Sequence, residues 1–223
     1  MQTTLLQKTL TFFTGLALAM LALTPLAAPA KDSPQNKKLL AALEPFEVLT
    51  ETALAGDAAK SHAALKTVQD GRADTRALLS GANATRFDEL FAQLEAANTK
   101  HDNIEESLQA AELYKLMVLA LDAWTLTVPK EVNLLDYIGF RISALLQARA
   151  PDWAAIAATT KEANGYWAAI RDQVGDTKLQ GKMDTAQAGL ATASEKQDAA
   201  LMKTNVKKDL DLVDALEGYF SKK

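Results

Sequence analysis

The sequence predicts an all-α protein, an up-down-up-down bundle of four long antiparallel helices. Three observations predict it. Alanine is abundant, while 223 residues hold only 10 glycines and 6 prolines, a composition that favours helices. Apolar residues step by three and four over long stretches. Three turn signals, SGAN at 80–83, TVPKEV at 127–132 and VGD at 174–176, divide the chain into helical stretches joined by short loops, which implies antiparallel neighbours.

The first element is a leader. Residues 1–30 carry a single charge at Lys8, an apolar run from Leu10 to Leu23 and the small-residue ending Ala28-Pro29-Ala30, the pattern of a secretory signal with cleavage expected before Lys31. A membrane span is the rival reading of the same run, and the A-x-A ending followed by KDSPQNKK fits processing better. The expected location is the periplasm, or the exterior of a cell with one membrane, with no stable membrane insertion after cleavage. Without the leader, 193 residues remain with 23 basic and 28 acidic side chains. That balance offers no nucleic-acid surface. The absence of cysteine excludes disulfides, thiol catalysis, cysteine-ligated zinc and CxxCH haem attachment.

Residues 31–223 are expected to form one helical-bundle domain. The first stretch holds Pro45 and an Ala55-Gly56-Asp57 interruption, and the third a matching Ala150-Pro151-Asp152. These breaks near 56 and 150 are kinks or corners, giving four long or six shorter helices. Their matched position suggests a pseudo-repeat of two helical hairpins, about 34–127 and 130–221, offset by about 94 residues. In the second stretch, Phe87, Leu90, Leu94, Ala97, His101, Ile104, Leu108 and Ala111 form one unbroken seam. The third carries Trp153, Ile156, Thr160, Ala163, Trp167, Ile170 and Val174, and the fourth closes with Val206, Leu210, Val213, Leu216 and Phe220.

Two clusters are candidate sites. A hairpin about position 81.5 would put His62 and His101, the only histidines, level with each other. Glu105 lies one turn past His101, and Glu195 comes to the same height through the later turns. Such a set could hold a divalent transition metal inside a bundle. The plainer account makes His101 a core histidine bonded to Ser61 or Gln197 and His62 a solvated flank. A third account is a pH response by histidines that the core keeps neutral. The second cluster is Glu112, Lys115, Asp136 and Arg141, walled by Tyr114, Trp124, Tyr137 and Phe140, at the other end. It could grip a small polar ligand, and the ordinary explanation is an ion-pair network that fixes helix register.

The outline resembles that of the haem-carrying four-helix cytochromes. However, CxxCH is missing and no methionine comes to the height of His101, so no haem function follows. No phosphate loop, nucleophile elbow, HExxH or paired ExxH motif occurs, so no enzyme is expected. The resulting expectation is an exported, non-catalytic bundle that binds a cell-envelope protein or a small ligand. The alternatives are a metal-binding or metal-sensing bundle using the histidine layer, and an envelope chaperone or adaptor.

Overall fold

The computed structural model describes residues 32–222, and the leader and its cleavage point lie outside them. Every regular element among the described residues is helical. The α-helices are α1 (Pro34–Leu54), α2 (Ala58–Asp70), α3 (Arg72–Ala77), α4 (Gly81–Thr99), α5 (Asn103–Leu119), α6 (Lys130–Gln147), α7 (Trp153–Ile170), α8 (Thr177–Glu195) and α9 (Ala199–Phe220). Single 3₁₀ turns follow α5 at Ala123–Thr125 and α7 at Arg171–Gln173. None of these helices is long and apolar enough to cross a membrane.

Among the described residues nine helices stand in place of the four long or six shorter ones expected, because the chain turns back where the apolar seam gives no sign of it. The seam from Phe87 to Ala111 runs through two helices, α4 and α5, that pack on each other. Between them His101 takes a left-handed conformation at φ 55°, and Asp102 caps α5 by accepting the Glu105 amide at 3.0 Å. The α8–α9 turn repeats this device with Gln197 at φ 52° and Asp198 accepting the Leu201 amide at 2.9 Å. A left-handed residue followed by an Asp cap reverses the chain in three residues while the three-four stepping of apolar positions runs on across it. The breaks at 56 and 150 are corners. Gly56 has φ 67°, and Asp57 and Asp152 cap α2 and α7, which fold back on α1 and α6.

The chain repeats its own pattern. Helices start at 34 and 130, 58 and 153, 81 and 177, and 103 and 199, an offset of 95 or 96 residues, so each half holds α1-like, α2-like, α4-like and α5-like pieces. In one half α1 packs on α2 and α5, and α5 on α4; in the other α6 packs on α7 and α9, and α9 on α8. The halves join through α5 against α6, with a smaller contact of α1 on α6. At the join the Tyr114 and Phe140 rings meet edge-on, 5.8 Å between centroids. Gly139 lets α9 approach α6 closely, since a Cβ there would lie 2.4 Å from a Leu210 methyl.

Most seam residues are buried as their pattern requires, while Ile104, Leu108, Trp153 and Leu210 are half-buried and His101 is exposed. Phe87, Leu90, Leu94 and Ala97 are buried on α4, and Val206, Val213, Leu216 and Phe220 on α9. Phe46 from α1 stacks edge-on against Phe87, which packs on Phe91. Asp184 accepts from Trp167 Nε1 at 2.8 Å and from Arg171, locking α7 to α8. This pairing holds the Asp184 carboxyl down at about 2.

The turn geometry makes a direct prediction. An L-residue in the left-handed region costs about 1–2 kcal/mol, and glycine gives back about 0.5–1 kcal/mol of that gain in unfolded-state entropy. His101→Gly and Gln197→Gly should therefore each raise the melting temperature, by about 2 °C for a chain of this size. Circular dichroism melts of the two variants check this. A fall in His101→Gly would show that the imidazole makes contacts the fold depends on.

Candidate functional site

The predicted histidine layer is not assembled. Its arithmetic assumed a hairpin about 81.5, whereas α4 pairs with α5 about position 101, so His101 sits in the turn itself. His101, His62, Glu105 and Glu195 are all exposed. Glu105 is bonded to Gln109 at 2.6 Å, and Glu195 ends α8 in the other half. The buried neighbour of His62 is Glu106, which accepts from Ser61 Oγ at 3.2 Å. Burial raises the Glu106 carboxyl, and the Ser61 hydrogen bond and the His62 charge pull it back. Among the described residues no three His, Asp or Glu side chains come together so as to hold a metal ion.

Three of the four residues in the second cluster do meet. Arg141 Nη1 on α6 pairs with Glu112 Oε1 on α5, and Tyr137 donates to the same oxygen at 2.9 Å. Arg141 Nε donates to Thr159 Oγ1 at 3.2 Å. Lys115 pairs with Glu162 of α7 at 2.6 Å and lies 4.5 Å from the centre of the Tyr137 ring. Tyr166 donates to Glu162 at 3.1 Å, and burial with the Glu162 charge pushes its hydroxyl up to about 12. Every charge here has a partner, so the group stitches α5, α6 and α7 together. Trp124, expected as one of its walls, is 92% exposed on the loop before α6.

Asp136 points elsewhere. It precedes Tyr137 by one residue, about 100° around the helix, and the charges that act on it, Glu217, Glu47, Asp214 and Asp209, lie on α9 and α1. Burial raises its carboxyl well above the usual range, and the charges of Glu217 and Glu47, then Asp214 and Asp209, raise it further. Glu47 on α1 is pushed up to about 7 by burial first and then by Glu51 and Glu217. Glu217 on α9 is raised by burial and Asp214. No ion pair reaches Asp136, Glu47 or Glu217 among the described residues. Helices α1 and α9 both pack on α6 without packing lengthwise on each other, and it is across the cleft between them that the charges of Glu47 and Glu217 act on Asp136. Glu217 also lines a cavity of about 240 Å³ with Asp32, Leu40, Val128, Asn133 and Ser221. The Tyr114 hydroxyl comes up from α5 to meet Asn133 Nδ2 at 3.5 Å.

Behind the floor, Asp209 is fully buried on α9 and accepts from Gln187 Nε2 at 2.7 Å. Asp209 Oδ2 and Gln187 Oε1 are both buried without a partner. Both are acceptors, and one proton on the carboxyl supplies the donor they lack. Burial pushes Asp209 up to about 7, consistent with a neutral acid.

Sequence reasoning missed Glu47 and Glu217 because it counted heights only along consecutive helices, and the cleft joins the first helix to the last. The available signal was Asp136 itself, a carboxylate between the buried Leu135 and Tyr137 of α6.

The raised acids set the sign of the pH dependence. Asp209 and Glu47 titrate near 7 in the folded chain against ordinary values of 3.8 and 4.5, so between those limits the folded state binds more protons than the unfolded state. Their contribution to stability is full below the ordinary values and is lost as pH rises through about 7. The melting temperature should therefore fall between about pH 5 and pH 8, and Asp209→Asn should flatten that slope and melt higher than the parent at the alkaline end. A slope unchanged by Asp209→Asn would show that the buried acid does not carry the effect.

No family model matches the chain, and no curated protein or solved structure is detectably similar to it, so the geometry of the cleft carries the functional argument.

Proposed function

We propose that the protein is a non-catalytic binding protein of the cell envelope that takes a small organic cation in the cleft between α1, α6 and α9. The observation that carries this is Asp136, a half-buried carboxyl whose pKa burial raises and to which no ion pair reaches among the described residues, with Glu47 and Glu217 acting on it from two other helices. Withdrawing a carboxylate from water costs several kcal/mol unless a cation or donors replace the lost hydration. Burial raises these carboxyls toward the protonated form, and a cationic ligand would take the place of the protons.

The spacing supports an extended ligand over a single ion. The carboxyls are near enough to raise one another's pKa, yet no three of them gather closely enough to hold a metal ion. An amine or diamine with an apolar body suits such a set, its ammonium groups facing Asp136, Glu47 and Glu217. Leu40 and Val128 line the adjoining cavity and offer it an apolar wall.

Thermal shift and titration calorimetry with putrescine and spermidine, alongside Mg, Ca and Zn ions, test this reading. At a ligand concentration about a hundred times Kd, selective binding to the folded state stabilises it by about 2.7 kcal/mol, or a melting shift of about 5 °C or more for a domain of this size. The shift should vanish in Asp136→Asn/Glu47→Gln, binding should release protons, and affinity should rise with pH as the acids ionise. No shift with either amine overturns the proposal, as does a shift that survives the double substitution. A shift with a metal ion alone would replace the ligand class.

A further inference from the structure

The two halves of the repeat differ at a buried pair between α8 and α9. At the offset of 96 that relates α8 to α4 and α9 to α5, Gln187 stands where the first half has Phe91, and Asp209 where it has Leu113. Phe91 and Leu113 belong to the apolar core. Gln187 and Asp209 are 3% and 0% exposed, so the second half keeps the burial and makes both positions polar. A buried polar pair of this kind holds only while its hydrogen bonds are complete.

The bonds are complete in one protonation state. Gln187 Nε2 donates to Asp209 Oδ1 at 2.7 Å, which leaves Gln187 Oε1 and Asp209 Oδ2 as two buried acceptors. A proton on Oδ2 closes the second bond and makes a reciprocal acid-amide pair. Without that proton a carboxylate stays inside the protein on one hydrogen bond. The charged groups on the helices packed most closely on α9, α6 and α8, do not replace it. On α8, Asp184 is tied to Trp167 and Arg171, and Lys178, Lys182 and Glu195 are exposed. On α6, Arg141 is paired with Glu112, Lys130 and Glu131 lie in the first turn, and Asp136 is itself an acid on which the Asp209 charge acts unfavourably. On α9 itself Lys207 and Lys208 are exposed, and Lys207 is paired with Asp211. About one turn along from the pair, a Cβ on Gly189 would run into the Asn205 side chain, so the helices lie too close for water to solvate the charge until they part.

We propose that Gln187 and Asp209 form a proton-held clasp between α8 and α9, so that loss of the Asp209 proton lets α8 part locally from α9 while α4 stays closed on α5 through its apolar residues. In the parted state Asp209 meets water and has the ordinary carboxyl value of 3.8, whereas the closed state keeps the proton up to about 7. Between those limits opening releases one proton and becomes about tenfold more frequent per pH unit. Above about 7 both states are ionised and the dependence levels off. The clasp is tight in mild acid and loosest above neutrality. It concerns the α8 side of α9 and does not require the ligand proposed for the cleft.

Hydrogen-deuterium exchange of the full chain, read by mass spectrometry between about pH 5 and pH 8 and corrected for the intrinsic rate at each pH, compares peptides from α8 with peptides from α4. Protection of α8 should fall about tenfold per unit between about pH 5 and pH 7 and then level off, ending well below that of α4. Asp209→Asn carries a permanent donor in place of the proton and should keep α8 protected across the range. Gln187→Phe/Asp209→Leu gives the second half the residues of the first and should be equally flat, which keeps the test open if the asparagine variant does not fold. Protection of α8 that does not change with pH overturns the inference. Equal protection of α8 and α4 at every pH, the mark of a chain that opens as one unit, overturns it as well. A fall that persists in the folded variants overturns the role of the pair.

Discussion

Helix α6 is buried on nearly every side, and the rest of the structure depends on how that burial is satisfied. Ten of its eighteen residues are buried, from Val132 to Leu145, because α1, α5, α7 and α9 all pack on it. A helix enclosed in this way cannot turn a polar face to water, so each polar side chain it carries must find a partner inside the protein. Arg141 finds Glu112 and Thr159, and Tyr137 finds Glu112. Asn133 reaches Tyr114. Asp136 is left without one, and the charges that act on it come from α1 and α9.

The fold class was legible because it rests on periodicity, which short-range physics writes into any amphipathic helix. The apolar positions of α4 and α9 and the breaks near 56 and 150 could be read residue by residue, though not that the breaks are corners capped by Asp57 and Asp152. The reversals at His101 and Gln197 could not be read from the seam, since a left-handed residue followed by an Asp cap keeps the apolar stepping in register. The signal that was available is chemical. Lys-His-Asp at 100–102 recurs as Lys-Gln-Asp at 196–198, a left-handed position followed by an N-cap in both copies, and histidine is among the residues that tolerate positive φ. Once the turn at 101 is missed, every height counted from 81.5 is wrong. This is why a set of exposed side chains looked like a buried layer. The Glu112, Lys115 and Arg141 grouping was recoverable because α5 and α6 are consecutive and the loop between them was correctly placed. The cleft was not, because it depends on α1 returning to α9 across the whole chain.

The repeat also separates what the fold requires from what it merely tolerates. At the offset of 96 that relates α6 to α1 and α9 to α5, Asp136 corresponds to Leu40, Asp209 to Leu113 and Glu217 to Leu121. Leu113 and Leu121 are buried in the core of their own half, so the architecture accepts, and by hydrophobic burial favours, leucine at those positions. Leucine removed from water contributes about 1.5–3 kcal/mol, whereas a carboxyl in the same place is costly unless it is protonated or paired. Three acids standing where the sister half carries leucine are not explained by the packing of these helices. Two of them, Asp136 and Glu217, act on each other and on Glu47 between α1, α6 and α9. Acids with raised pKa values and no ion-pair partner, standing where leucine would pack, are the arrangement that the proposed cationic ligand would require.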